Sequence, residues 1–197
     1  MRTLVLVVGM GLALVAPARA AEFKVTPGGK NQVVFFSKAP IESFEGRTRR
    51  IEGRIVVDPA GVSDSITVHL EVDLASLDTG IARRNQHMRD NHLETSKHPR
   101  AVFDGAAIAS PAGARLEAGK PVSFTVEGTF ALHGVSRRLR ITAEVTHTAQ
   151  PSGGRLEFRT VFPVNLKDYA IRRPEFLFLK LAETQEVRVF GVAVATP

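Results

Sequence analysis

The strongest constraint in this chain is a hydrophobic period of two that keeps returning along its length. Ile66, Val68, Leu70, Val72 and Leu74 alternate with Thr67, His69, Glu71 and Asp73. Successive side chains of an extended chain point to opposite faces, so this run is a strand with one dry face and one wet face. The pattern recurs at Val122, Phe124 and Val126, and at Leu139, Ile141, Ala143 and Val145. It returns at Leu156, Phe158, Thr160 and Phe162, and again at Val187, Val189 and Gly191. Less regular strands are expected around 32–38, 48–57, 100–108 and 175–182. Turn residues separate the runs: Asp58-Pro59-Ala60-Gly61, Pro111-Ala112-Gly113 and Gln150 to Gly154. His133-Gly134, a short link with Gly between a strand ending near Leu132 and one starting near Ser136, reads as a tight hairpin.

One segment breaks the period. From Asp78 to about His92 the β-branched residues nearly vanish, and Ile81, Asn85, Met88 and His92 (or Leu93) fall at helical spacing. Asp78 or Thr79 is placed to cap such a helix by accepting from the N–H groups of its first turn. About eight or nine alternating strands and one helix leave two all-β architectures, a closed antiparallel barrel or a two-sheet sandwich. A barrel of about eight strands has an interior just wide enough for packed side chains or a slender ligand.

No repeat or low-complexity linker divides the chain, so residues 21–197 are expected to form a single domain. The stretch before them reads differently. Arg2 precedes a short uncharged apolar run from Leu4 to Val15, and Ala18-Arg19-Ala20 has the small-x-small form that signal peptidase cleaves. The run falls short of the roughly 20 apolar residues that span a bilayer. Residues 1–20 are therefore expected to be a secretory signal, and the chain a bacterial periplasmic protein. Export argues against a nucleic-acid partner, and the net charge of +6 belongs to Lys and Arg interleaved with acids rather than to a basic tail. Cys is absent, which removes disulfides, thiol chemistry and cysteine metal sites.

The chain has 12 Phe against one Tyr and no Trp. Phe carries no polar handle, so an interior lined by it is dry. Phe35, Phe103, Phe124, Phe130, Phe158, Phe162, Phe176 and Phe178 recur on the expected strands. On residues alone two readings stand: a filled hydrophobic core, the simpler one, or a tunnel for a long apolar molecule. Arg83, Arg84 and Arg89 sit on the helical segment, either as a solvated face or as a cationic mouth for a polar headgroup. His87, His92 and His98 fall within twelve residues, with Asp90 and Glu94 nearby, but without the i, i+4 spacing of a zinc-protease helix. Loop and cap roles are the simpler reading, and no resident metal or other cofactor is expected. There is no Gly-x-Ser-x-Gly elbow and no Gly-rich phosphate loop, so the sequence reads as a binding protein rather than an enzyme.

A set of motifs runs in order through most of the chain. They are Phe44-Glu45-Gly46, Gly53 to Asp58, Ser76-Leu77-Asp78-Thr79-Gly80, Arg84-Asn85-Gln86-His87-Met88-Arg89, Lys97-His98-Pro99 with Phe103, and Leu132-His133-Gly134-Val135. In this order and spacing the chain resembles the YceI-like family of lipocalin-like, polyisoprenoid-binding proteins. The resemblance implies an extended antiparallel barrel with a lipocalin-like lumen, a long isoprenoid or quinone-like lipid bound inside, transient contact with a membrane, and a homodimer. It places the eight Phe named above along the ligand, Met88 and Leu93 at the opening, and Arg84 and Arg89 at a headgroup. The chain departs from the family where it has His92-Leu93 and His98 in place of frequent aromatics, and again across Lys167 to Leu181. The alternatives are a ligand-free, filled barrel serving as a stress-response or protein-interaction module, and a metal-dependent enzyme centred on His87, His92 and His98.

Overall fold

The structure is a computed structural model that describes residues 20–38, 43–57, 66–111, 115–150, 154–176 and 179–196, with backbone alone over 175–176 and 179–180. The expected signal segment (all but Ala20), the turn at Asp58 to Gly61, and Phe178 lie outside the described residues, as does the side chain of Phe176. In chain order the strands are β1 (Ala21–Val25), β2 (Gln32–Ser37), β3 (Phe44–Thr48), β4 (Ile51–Val57), β5 (Thr67–Asp73) and β6 (Arg100–Ala109). There follow β7 (Pro121–Leu132), β8 (Val135–Thr148), β9 (Arg155–Asn165), β10 (Glu175–Phe176), β11 (Leu179–Lys180) and β12 (Thr184–Ala195). The helix α1 (Ala82–His87) runs directly into a single wide turn over Met88–His92.

All strands but β10 and β11 belong to one antiparallel sheet, and β1 pairs with β12 to close it. Because β1 continues into β2 and β3 into β4, the closed ring amounts to an eight-stranded barrel. One edge of β12 pairs with β9 along nearly its whole length. Its other edge changes partner, from β2 over Glu186 to Phe190 to β1 over Ala193 to Ala195. At that step the ladder lacks a backbone acceptor, and the buried side chain of Asn31 supplies one. Asn31 Oδ1 accepts from the Val192 N–H at 2.6 Å, while its Nδ2 donates to the Thr26 carbonyl at 2.6 Å. A single amide thus splices the two halves of the seam.

The alternating residues do face inward, because closure gives every strand an inside and an outside. The two ends of the inside differ. Phe23, Val25, Val57, Leu116, Leu156 and Ala193 are buried and packed together at the end where β1 meets β4 and β12, Phe23 being 0% exposed. At the opposite end Leu74, Leu132, Leu166, Tyr169 and Ile171 form a second cluster under the helical segment. The β7–β8 hairpin turns there on His133 (φ 52°) and Gly134 (φ 75°). Two successive positive φ values match the strand twist, as in two-residue hairpins generally.

Several local expectations shift. Leu74 leaves the strand for a 3-10 turn (Leu74–Ser76). The segment expected as one strand around 175–182 is instead a separate small hairpin, β10–β11, outside the barrel. The helix is not capped by Asp78 or Thr79: Ile81 occupies the cap position without a side-chain bond. The β1 and β3 strands were not anticipated: each is only five residues long, and although Ala21, Phe23 and Val25 alternate with Glu22 and Lys24, so short a run carries little signal by itself.

Two predictions follow from these contacts. Asn31→Ala leaves the Val192 N–H without a partner in a buried seam, which should cost about 1–3 kcal/mol in urea denaturation. On the outer wall, His69 Nδ1 lies 2.6 Å from Asp104 Oδ1 and Nε2 lies 3.1 Å from Glu71 Oε1. The Asp104 hydrogen bond raises the His69 pKa above its ordinary 6.5, against a smaller opposing effect of burial. The folded state therefore holds the proton more tightly, and this stabilisation is full below pH 6.5 and fades as pH rises through the raised value. The melting-temperature gap between the wild type and His69→Gln should accordingly be largest in mild acid and shrink in alkali.

Candidate ligand cavity

The barrel interior is not filled: it encloses a cavity of about 1320 Å³. This overturns the filled-core expectation. It exceeds the roughly 300–1,000 Å³ of a pocket for a drug-sized ligand. Phe35, Phe103, Phe124, Phe130, Phe158 and Phe162 all line it, joined by aliphatic side chains from every stave of the barrel, among them Val68, Leu70, Val126, Ile141 and Val189. Met88 and Leu93 line it from the helical segment.

Why six phenylalanines leave space is a matter of their neighbours. Phe158 stands opposite Gly191, and Phe35 opposite Gly46, in the strand register. A Cβ at Gly191 would fall 2.1 Å from Phe158 Cζ, and one at Gly46 would fall 2.2 Å from Phe35 Cε1. The rings therefore lie flat against bare backbone of the adjacent strand rather than crossing the lumen. Gly128 permits a similarly close approach of backbone to backbone, since a Cβ there would sit 2.2 Å from the Asp104 carbonyl oxygen.

Apart from Thr160 on β9, whose hydroxyl donates to the Thr142 carbonyl at 2.7 Å, the polar groups of the wall are gathered at one end. Arg83, Arg84, Gln86, His87, Asp90, Asn91 and His92 meet the cavity from the helical segment. Arg84 is fixed there: its Cζ lies 4.1 Å from the Phe44 ring centroid, and its guanidinium donates to Thr79 Oγ1 at 2.9 Å and the Thr79 carbonyl at 2.8 Å. Arg89, expected beside a headgroup, is not on the cavity wall. It donates instead to the Ala75 carbonyl at 3.0 Å, because the wide turn after α1 swings it toward the 3-10 turn.

Asn85 is the hub of this segment. It is buried, and its Oδ1 accepts from the Thr79 N–H at 2.8 Å and from the Thr79 hydroxyl at 2.7 Å. Its Nδ2 donates to Asp78 Oδ1 at 2.6 Å. The Gly80 N–H and then the Asn85 amide hold the Asp78 carboxyl below the usual carboxylate range. The helix thus reaches back to organise the loop that was expected to cap it.

His87, His92 and His98 do not converge. His92 Nδ1 donates to the Arg172 carbonyl at 2.9 Å, so its Nε2 is left to accept from His87 Nδ1 at 3.2 Å. Burial lowers the His92 pKa below its ordinary 6.5, in keeping with a neutral imidazole at the cavity end. His98 instead faces His133, with ring centroids 4.9 Å apart. Among the described residues the one group of three potential metal ligands is Glu94, His98 and His133, whose donor atoms lie within 4.8 Å of one another. Glu94 stood near the histidines considered from sequence, but His133 did not enter that group, since it lies 39 residues from Glu94.

Two further polar residues of the wall were also missed. Ser37 and Gln185 are 1% and 7% exposed, and both line the cavity. Ser37 Oγ and Gln185 Oε1 have no hydrogen-bond partner among the described residues. Gln185 Nε2 donates to the Ala182 carbonyl at 2.6 Å, which fixes Oε1 as the free acceptor. The signal was present: both sit in the inward register, in line with Phe35 on β2 and Val187 on β12.

Fold and site together define a closed antiparallel barrel around a long apolar lumen with a polar rim at its helical end. Residues 23–193 match the YceI-like domain, and the chain belongs to the YceI-like family. A UPF0312 protein of Vibrio cholerae is 28% identical over 179 residues, which cover 87% of this chain and 90% of that protein. Among solved structures, BcnA of Burkholderia cenocepacia superposes with a TM-score of 0.67 at 21% identity, over 84% of this chain and 97% of its own. A polyisoprenoid binding domain from Saccharophagus degradans, implicated in plant cell wall breakdown, gives 0.68 at 21% identity, over 90% and 100%.

The Asn85 hub yields a local prediction. Asn85→Ala strands the Thr79 N–H, and should raise the amide hydrogen exchange of residues 78–88 by a local loss of about 1–3 kcal/mol. Exchange in β7, β8 and β9 should stay at the wild-type rate.

Proposed function

We propose that this protein is a periplasmic binding or carrier protein that holds a long apolar lipid, isoprenoid or quinone-like, with its tail in the barrel lumen. The observation that carries the reading is the 1320 Å³ cavity, whose wall is apolar along the barrel apart from Thr160 and whose other polar side chains gather at one end. Burial of about 0.8 kcal/mol per CH₂ gives a chain of about twenty carbons roughly 16 kcal/mol gross. Lost chain and encounter entropy offset much of that, and a useful affinity remains without any special chemistry. The polyisoprenoid binding domain of Saccharophagus degradans, which shares the fold, supports the choice of lipid class.

The orientation follows from chemistry. The end packed by Phe23, Val57 and Leu156 offers the ligand no polar partner, so the tail points there. The headgroup belongs near Arg84, His87, Ser37 and Gln185, where the buried Ser37 Oγ and Gln185 Oε1 lack partners among the described residues and all four side chains meet the cavity. The N-terminal pattern of Arg2, Leu4 to Val15 and Ala18-Arg19-Ala20 supports export. No helix among the described residues is long and apolar enough to cross a membrane. Ile81, 49% exposed beside Arg83 at the helical end, suits transient contact with a lipid surface during loading. The role is binding rather than turnover. A homodimer, implied by the family resemblance, belongs to the same proposal.

Native mass spectrometry of protein exported in a bacterial host, followed by organic extraction, tests the reading. An added mass that extracts as an isoprenoid lipid is expected. Ala143→Trp places an indole in the lumen and should greatly reduce the bound fraction while circular dichroism stays that of the barrel. A folded Ala143→Trp carrying the wild-type load would refute the lumen assignment.

A further inference from the structure

Glu94, His98 and His133 stand outside the cavity wall, each on the rim of the helical end and independent of the lipid reading. Glu94 follows the cavity-lining Leu93, and His133 follows Leu132. We propose that these three side chains form a binding site for a divalent transition-metal ion, with zinc the best match to two imidazoles and one carboxylate.

The argument begins with His133. Its Nδ1 lies 3.0 Å from the Tyr169 carbonyl, and a carbonyl only accepts, so Nδ1 carries the hydrogen. In the neutral ring Nε2 is then a bare lone pair, and it points at Glu94 Oε2 from 3.1 Å. Two acceptors face each other at a distance that requires a cation between or upon them. A backbone carbonyl on the far nitrogen is the arrangement that orients metal-ligating histidines in general.

His98 completes the set. Its backbone N–H donates to the Glu94 carbonyl at 2.9 Å, which closes a turn that brings both side chains to one side. Gly134 makes room for its ring: a Cβ there would lie 2.7 Å from His98 Cε1. Neither ring nitrogen of His98 is engaged in a hydrogen bond among the described residues, so the ring is free to turn inward. That freedom matters, because the donor atoms span up to 4.8 Å and a tetrahedral set of N and O ligands needs about 3.4 Å. Glu94 Oε1 is held by Lys97 Nζ at 2.6 Å, which leaves Oε2 as the ligand atom.

Glu94 (φ 43°) and His133 (φ 52°) both adopt the left-handed backbone region that non-glycine residues seldom occupy. Three protein ligands would leave at least one position for water. A bound ion would tie the loop after the helical segment to the β7–β8 hairpin, and so fasten the helical end to the barrel. The alternative occupant is a proton, giving only a His133–Glu94 ion pair.

Protein stripped with a chelator and titrated with zinc chloride by calorimetry separates the two. Saturable binding of a single ion is expected, with a rise in melting temperature. Cobalt(II) added alone should give the intense visible absorption of a four-coordinate site. His98→Ala and Glu94→Gln should each weaken zinc binding by at least roughly 100-fold, the upper range for loss of even an outer-sphere partner. Lys97→Gln, which removes a nearby positive charge, should tighten it. His87→Ala, in the other histidine pair, should change nothing. Absence of saturable zinc binding to the folded wild type would overturn the proposal. So would wild-type zinc affinity in a folded His98→Ala or Glu94→Gln.

Discussion

The backbone pairs that join β1 to the end of β12, from Phe23 with Ala195 to Val25 with Ala193, turn a sheet into a ring. Without them the sheet would present two long unpaired edges, and inside and outside would lose their meaning. With them, every inward register position on every strand is withdrawn from water at once. The ring is not made of uninterrupted strands, and its weakest point is the place where β12 changes partner. Asn31 meets that weakness with one amide, accepting from Val192 and donating to Thr26. Its near-complete burial means that water cannot substitute for it.

Closure also sets the circumference, and so separates interior volume from the number of hydrophobic residues. An open sandwich can contract until its faces touch. A ring of hydrogen-bonded strands cannot, because its width is fixed by strand number and stagger. Whether such an interior is full then depends on how side chains lean. Here Phe35 and Phe158 lean onto Gly46 and Gly191, and the space they would have occupied stays open. The sealed end follows another rule, with Phe23, Val25 and Leu156 packed together at 0–1% exposure. One tube therefore has a solid floor, a hollow middle and a polar rim.

The rim is built by residues that neighbour one another only in space. Asn85 gathers Asp78 and Thr79, and Arg84 is clamped between Thr79 and Phe44. His92 is oriented by the Arg172 carbonyl, and His133 by that of Tyr169. These anchors hold the helical segment over the cavity in one arrangement. Charged side chains meet the cavity at this end, which gives the lumen a direction.

Alternation alone determined the long strands β5, β7, β8, β9 and β12, their inward faces and the all-β class, because a period of two is a local property of an extended chain; it missed the short β1 and β3. The break at 78–92 likewise announced the helix, and Phe at inward positions announced a dry interior. Closure, and with it the open lumen, was decided by the tertiary structure, because ring pairing joins residues from opposite ends of the chain and a Phe–Gly contact depends on register across strands. The histidines show the same limit. Proximity in sequence grouped His87, His92 and His98, whereas folding pairs His98 with His133 and Glu94, since the turn at 133–134 and the loop at 94–98 meet only when β6, β7 and β8 lie side by side. Sequence spacing measures distance along the chain, and chemistry is set by distance through space.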